Sequence, residues 1–188
     1  MNSFEAGRGG GGLGLTVLAA MLIPWASFIL SLVAGLSSPN YNLVESFAET
    51  VGSRFAELDP FSQTLFIFVS NMVTTILVYI LTLALILPGA LLIAFNGFVI
   101  GSTISYAVNV KGLTFMQVIG LLAPHGVVEL PTFLGVASAG AYCLLRCRGF
   151  TRLMSFTIKV LTIAAALLMV AALIEVFVTP IVGRALGA

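Results

Sequence analysis

Charge is what this chain has least of. Of its 188 residues, 8 are Lys or Arg and 7 are Asp or Glu, so 8% are charged, where soluble domains carry about a quarter. So few charges cannot clothe a soluble globule, and a formal net charge of +1 gives no basis for binding nucleic acid. The single histidine, His125, excludes the His-Glu-x-x-His signature of metalloproteases. No Gly-x-Ser-x-Gly nucleophile elbow occurs either. Cysteine is nearly absent: Cys143 and Cys147 stand four apart at the end of an apolar run, with no other Cys or His near them in sequence. They read as small apolar packing residues rather than a metal pair, and no metal or cofactor is expected. A cleavable secretion signal of the usual kind is missing too, because Met1–Leu15 is glycine-rich and the first apolar run is too long for one.

What fills the chain instead is apolar. Sixty per cent of residues are hydrophobic and the mean hydropathy is +1.15. The length allows a handful of bilayer-spanning helices of about 20 residues each, with no room for a separate soluble domain. The expected architecture is therefore all-α. It is a polytopic membrane protein of about five transmembrane helices, with a flexible leader over 1–12 and a single domain over 13–188.

The first span reads 13–35, with Pro24 inside it and Trp25 beside it, and Ser37-Ser38-Pro39-Asn40 ends it. Across 41–59, Leu43, Val44, Phe47, Val51, Phe55 and Leu58 recur every three or four positions among Glu45, Glu49, Glu57 and Asp59. That spacing predicts an amphipathic surface helix. The 48 residues from Phe61 to Val108 hold no charge. As helix they are about 72 Å long, enough for two crossings of a hydrocarbon core of roughly 30 Å. Leu87-Pro88-Gly89 is the natural turn between spans 63–85 and 89–108, which carry Asn71 and Asn96. Gly97 and Gly101 form a small-xxx-small patch where another helix can come close. Asparagine in lipid is costly without a partner, so both should face the bundle interior.

The stretch Leu113–Leu145 is too long for one untilted crossing, about 50 Å as helix. Pro124 divides it into a span over 124–145 and a broken or half-helix segment before it, either dipping into the membrane or lying on it. Just past the break stands Pro124-His125-Gly126-Val127-Val128-Glu129-Leu130-Pro131. Its histidine and carboxylate are one helical turn apart and share a face. An ionisable group at bilayer depth costs at least roughly 2.5–3.5 kcal/mol. Either the pair satisfies itself and locks a kinked helix, or it handles protons, ions or lipid. The last span, 155–178, holds Glu175 near its end; depth alone places that residue at the interface, with membership of the polar cluster as the alternative. No catalytic residue is identified.

Arg146, Arg148, Arg152 and Lys159 flank the last loop, which should lie in the cytoplasm. Counting back through the spans puts the amino terminus inside, and the acidic surface helix and carboxyl terminus outside.

Taken together, Ser70-Asn71, Phe95-Asn96-Gly97-Phe98-Val99-Ile100-Gly101, His125-Gly126 with Glu129-Leu130-Pro131, and Leu173-Ile174-Glu175-Val176-Phe177 form a pattern over roughly 15–180. In that pattern the chain resembles the stage II sporulation protein M family. The resemblance implies about five transmembrane helices. For the founding member it implies a scaffold that holds cell-wall hydrolases at the septal membrane, a role not transferable by name to relatives that neither sporulate nor carry that wall. Two functions stand side by side. One is a membrane scaffold or assembly protein that recruits other membrane proteins or copies of itself. The other is a small transporter, channel or lipid-handling protein using Asn71, Asn96, His125, Glu129 and Glu175. Intramembrane hydrolysis has the least support, and no enzyme activity is expected. Membrane lipids are the one partner both readings share.

Overall fold

The computed structural model describes residues 9–187. Within them eight helices follow in order: α1 (Gly9–Ser37), α2 (Tyr41–Phe47), α3 (Ser53–Ala56), α4 (Pro60–Ala84), α5 (Ile86–Asn109), α6 (Phe115–Arg146), α7 (Phe150–Leu173) and α8 (Thr179–Leu186). Single π-helical turns join α2 to α3 (Ala48–Gly52) and α7 to α8 (Ile174–Val178). No strand occurs among the described residues. Five of the helical stretches are long and apolar enough to cross a membrane, as expected from composition.

The burial pattern is that of a protein dissolved in lipid. Thr75, Thr82, Ser102 and Ser138 are buried, whereas Leu30, Phe61, Leu87, Met116 and Phe150 stand exposed on the outside. In water such a surface would drive aggregation; in hydrocarbon it costs nothing, while every interior polar group needs a protein partner. The central apolar layer joins Phe28, Val78, Ile93, Phe133, Leu134 and Ala137, drawn from α1, α4, α5 and α6.

The most extensive helix contact among the described residues is between α1 and α5. A Cβ added at Gly101 would collide with the Leu32 carbonyl, and one at Gly97 would lie 2.6 Å from that of Phe28. From the other side, Gly35 meets the Phe98 carbonyl. Three glycines thus let two backbones touch where any side chain would hold them apart.

Several boundaries differ from those the sequence suggests. α1 starts at Gly9, inside the expected leader, of which 1–8 lie outside the described residues. Once Leu13 onward is helical, each further residue gains a backbone hydrogen bond, which offsets the poor helix propensity of glycine. The α4–α5 break falls at Leu85, ahead of the expected Leu87-Pro88-Gly89 turn, where an extended backbone (φ −152°, ψ 132°) separates the helices. Pro88 sits within the first turn of α5, where no intrahelical partner exists for an N–H anyway. Gly89 there abuts the side chain of Thr82 across the hairpin.

The expected break before Pro124 is absent. α6 runs unbroken for 32 residues with Pro124 and Pro131 inside it. Its start is set upstream by a capping box: Thr114 accepts from the Gln117 N–H while the Gln117 side chain accepts from the Thr114 N–H. Prolines inside membrane helices are tolerated because neighbouring groups satisfy the freed backbone. Glycine at 120, one turn before Pro124, also leaves room for Leu186 of α8 to pack there.

Polar clasps secure the peripheral pieces. α2 lies against the end of α5, where Tyr41 meets Tyr106 edge-on at 5.7 Å and Asn109 donates to Tyr41 and Ser105. The Gln117 amide donates to the carbonyls of Leu186 and Gly187 and so ties the end of α8 to the start of α6. Cys143 and Cys147 form a disulfide rather than separate packing thiols. Cys147 caps the end of α6, and the two Cα atoms stand 4.6 Å apart, within bridging range.

Candidate functional site

Four residues to a turn puts His125 and Glu129 on one face of α6, and that face looks into the bundle. The Asn71 side chain of α4 stands beside Glu129, and both line the same space. Glu175 arrives from the π turn after α7. A donor atom of each of His125, Glu129 and Glu175 lies within 4.8 Å of the others, and all three side chains are partly buried. Glu175 thus stands with His125 and Glu129, the alternative that its place in the sequence alone disfavoured. The physical reason is the π turn. Pro180 supplies no N–H to the turn before it, and the helix widens there by one residue, swinging Glu175 inward.

The second contacts are ordered as well. The Thr179 N–H closes the π turn on the Ile174 carbonyl, and its hydroxyl donates to the same oxygen at 3.4 Å. That hydroxyl lies 3.4 Å from Nδ1 of His125 and, with its proton committed, can accept from it. In the tautomer that donates from Nδ1, Nε2 keeps its lone pair.

The cluster forms one wall of a cavity of about 650 Å³. The other walls are apolar: Phe28 and Leu32 of α1, Phe66 and Ile67 of α4, Ile100 and Ile104 of α5, and Ile119, Leu122 and Leu130 of α6. Every lining residue lies in the half of the bundle that carries α2, α3 and the α5–α6 loop. Gly126 also lines it, and a Cβ there would meet nothing within 4 Å. Behind Glu129 is a smaller space of about 60 Å³, edged by Asn71, Thr74, Thr75 and Asn96.

Of the residues singled out from sequence, Asn71, His125, Glu129 and Glu175 line the large cavity together. Asn96 does not join them there. Its amide donates to the Leu92 carbonyl one turn back, and it borders only the smaller space. Pro131 borders the large cavity, and Gly97 and Gly101 lie away from it on the α1 seam. Thr179 and Thr75 carry no signal in the sequence, since lone hydroxyls are common in membrane helices. Pro180, five residues after Glu175, is the available hint.

No curated protein and no solved structure matches this chain. The family model described as Stage II sporulation protein M matches residues 15–180. That span takes in all the cluster residues named above, and the chain belongs to the stage II sporulation protein M family.

Proposed function

We propose that this membrane protein is a lipid-handling protein, binding an amphipathic, lipid-like molecule in the cavity between α1, α4, α5 and α6. One observation carries the reading: about 650 Å³ of apolar space ends in a compact polar cluster. Ligand pockets typically enclose about 300–1,000 Å³ and use a few polar groups to orient a mostly apolar guest. An acyl or prenyl chain would lie against Phe28, Leu32, Ile100 and Ile104, with its polar head at His125, Glu129 and Glu175. Ionisable side chains held at such depth mark ligand pathways more often than packing. Charge asymmetry supports an orientation in which Arg146–Arg152 face the cytoplasm, so that the cavity opens in the outer half of the membrane.

The test uses Gly126→Leu, which adds bulk to the cavity at a position whose Cβ meets nothing within 4 Å. The parent chain, purified gently, should retain an amphiphile by native mass spectrometry. Gly126→Leu should fold equally well and lose it. Equal retention in both would overturn the reading. A scaffold that recruits membrane proteins or copies of itself, the role implied by the resemblance, needs no cavity, and it is the reading that survives that result.

A further inference from the structure

We propose that His125, Glu129 and Glu175 form a binding site for a divalent transition-metal ion of the zinc class. The inference deepens the cavity reading and rests on it: the ion would hold the oxygen-rich head of the guest. The donor set is the starting point. One imidazole and two carboxylates have donor atoms within 4.8 Å of one another. Tetrahedral donors about 2.1 Å from an ion are roughly 3.4 Å apart, so side-chain adjustment alone closes the site. Three protein donors with a fourth position open is the arrangement of zinc sites that bind a further ligand. Here the open side faces the cavity. Calcium, which takes about 6–8 oxygen donors, is poorly served by this set.

Charge balance points the same way. Even with a protonated imidazole, two carboxylates would leave net negative charge in an apolar wall. A divalent ion with neutral His125 brings the total to zero, which is what a low-dielectric site favours. The supporting contacts fit as well. The Thr179 hydroxyl lies 3.4 Å from Nδ1 of His125, so that in the tautomer donating from Nδ1 the Nε2 atom is free for an ion, and Asn71 stands beside Glu129. A separate observation comes from Thr75. Its Oγ1 is buried, at 1% residue exposure, has no hydrogen-bond partner, and borders the 60 Å³ space behind Glu129. A buried hydroxyl without a partner calls for a polar guest, and a water bridging it to the carboxylate side of an ion site fits that space.

The experiment uses the full chain in detergent, free of any affinity tag and stripped with chelator. Cobalt(II) is titrated as the spectroscopic probe, and zinc as the competitor. The expected result is one equivalent of cobalt with the strong visible d–d bands of a four-coordinate site, erased by zinc. Thr179→Val should weaken binding about 10–100-fold, as loss of an outer-shell partner does. Glu175→Gln should weaken it further while keeping the fold. The proposal is overturned if the parent chain gives no such bands, or if a folded Glu175→Gln binds as the parent does. If no metal binds but amphiphile retention still depends on Gly126, the metal site is wrong and the cavity reading stands. Metal binding without any retained amphiphile would instead uphold the metal site and remove the cavity reading.

Discussion

Glu129 stands beside Asn71 across the helix interface, with donor atoms of His125 and Glu175 within 4.8 Å. Glu129→Gln keeps a group that can bond Asn71 and should lower the melting temperature little. Glu129→Leu strands the asparagine amide and should cost about 1–3 kcal/mol. Equal melting temperatures for the two variants would mean that pairing with Asn71 contributes nothing. Asp59 acts at the start of α4 instead. Its carboxylate caps α4, and the Ser62 hydroxyl, followed by the Ser62 N–H, holds its pKa below the usual 3.8. A folded-state pKa below the unfolded one means stabilisation that is present above the ordinary carboxylate range and lost as pH falls through the lowered value. Asp59→Ala should therefore melt below the parent at neutral pH, with the gap closing in acid. A gap of constant size across that titration would contradict the cap. The cluster was partly legible in sequence because carboxylates and histidine are rare enough here to stand out. Its geometry was not, since Glu175 reaches His125 only through contacts some fifty residues apart in the chain.

Among the helices, the α1–α5 seam is the clearest case in which small residues decide packing. Gly101→Leu should separate the two backbones, cost at least about 1–3 kcal/mol and reduce the yield of monodisperse protein. Gly135→Ala is the contrast. It adds a methyl where nothing lies within 4 Å, and should stabilise α6 by about 0.5–1 kcal/mol. Thermal unfolding of both variants checks the seam; similar effects of the two would remove the reason for it. The number and rough bounds of the spans were legible from apolar run lengths. The continuity of α6 was not, because proline reads as a break wherever the surroundings are unknown. The Thr114–Gln117 capping box at the start of α6 was missed in sequence, where Pro124 reads as the break. The π turn before Pro180 likewise needs tertiary contacts to exist.

For the whole molecule, orientation and the cavity are linked. Positive charge favours the cytoplasmic side for 146–152, whereas the disulfide beside it suits an oxidising compartment better than a reducing one. Cysteines placed singly at Ser38 and Gly149, in a background without Cys143 and Cys147, separate these. An impermeant thiol reagent should label the Ser38 position on intact cells and spare that at Gly149. Labelling at Gly149 would reverse the orientation and turn the cavity toward the cytoplasm. The most direct measurement is a high-resolution structure of the protein in a lipid bilayer. The expected result is elongated density between α1, α4, α5 and α6, with its polar end at His125, Glu129 and Glu175. A cavity closed by inward movement of those helices, with the three side chains bonded only to protein, would contradict a binding role.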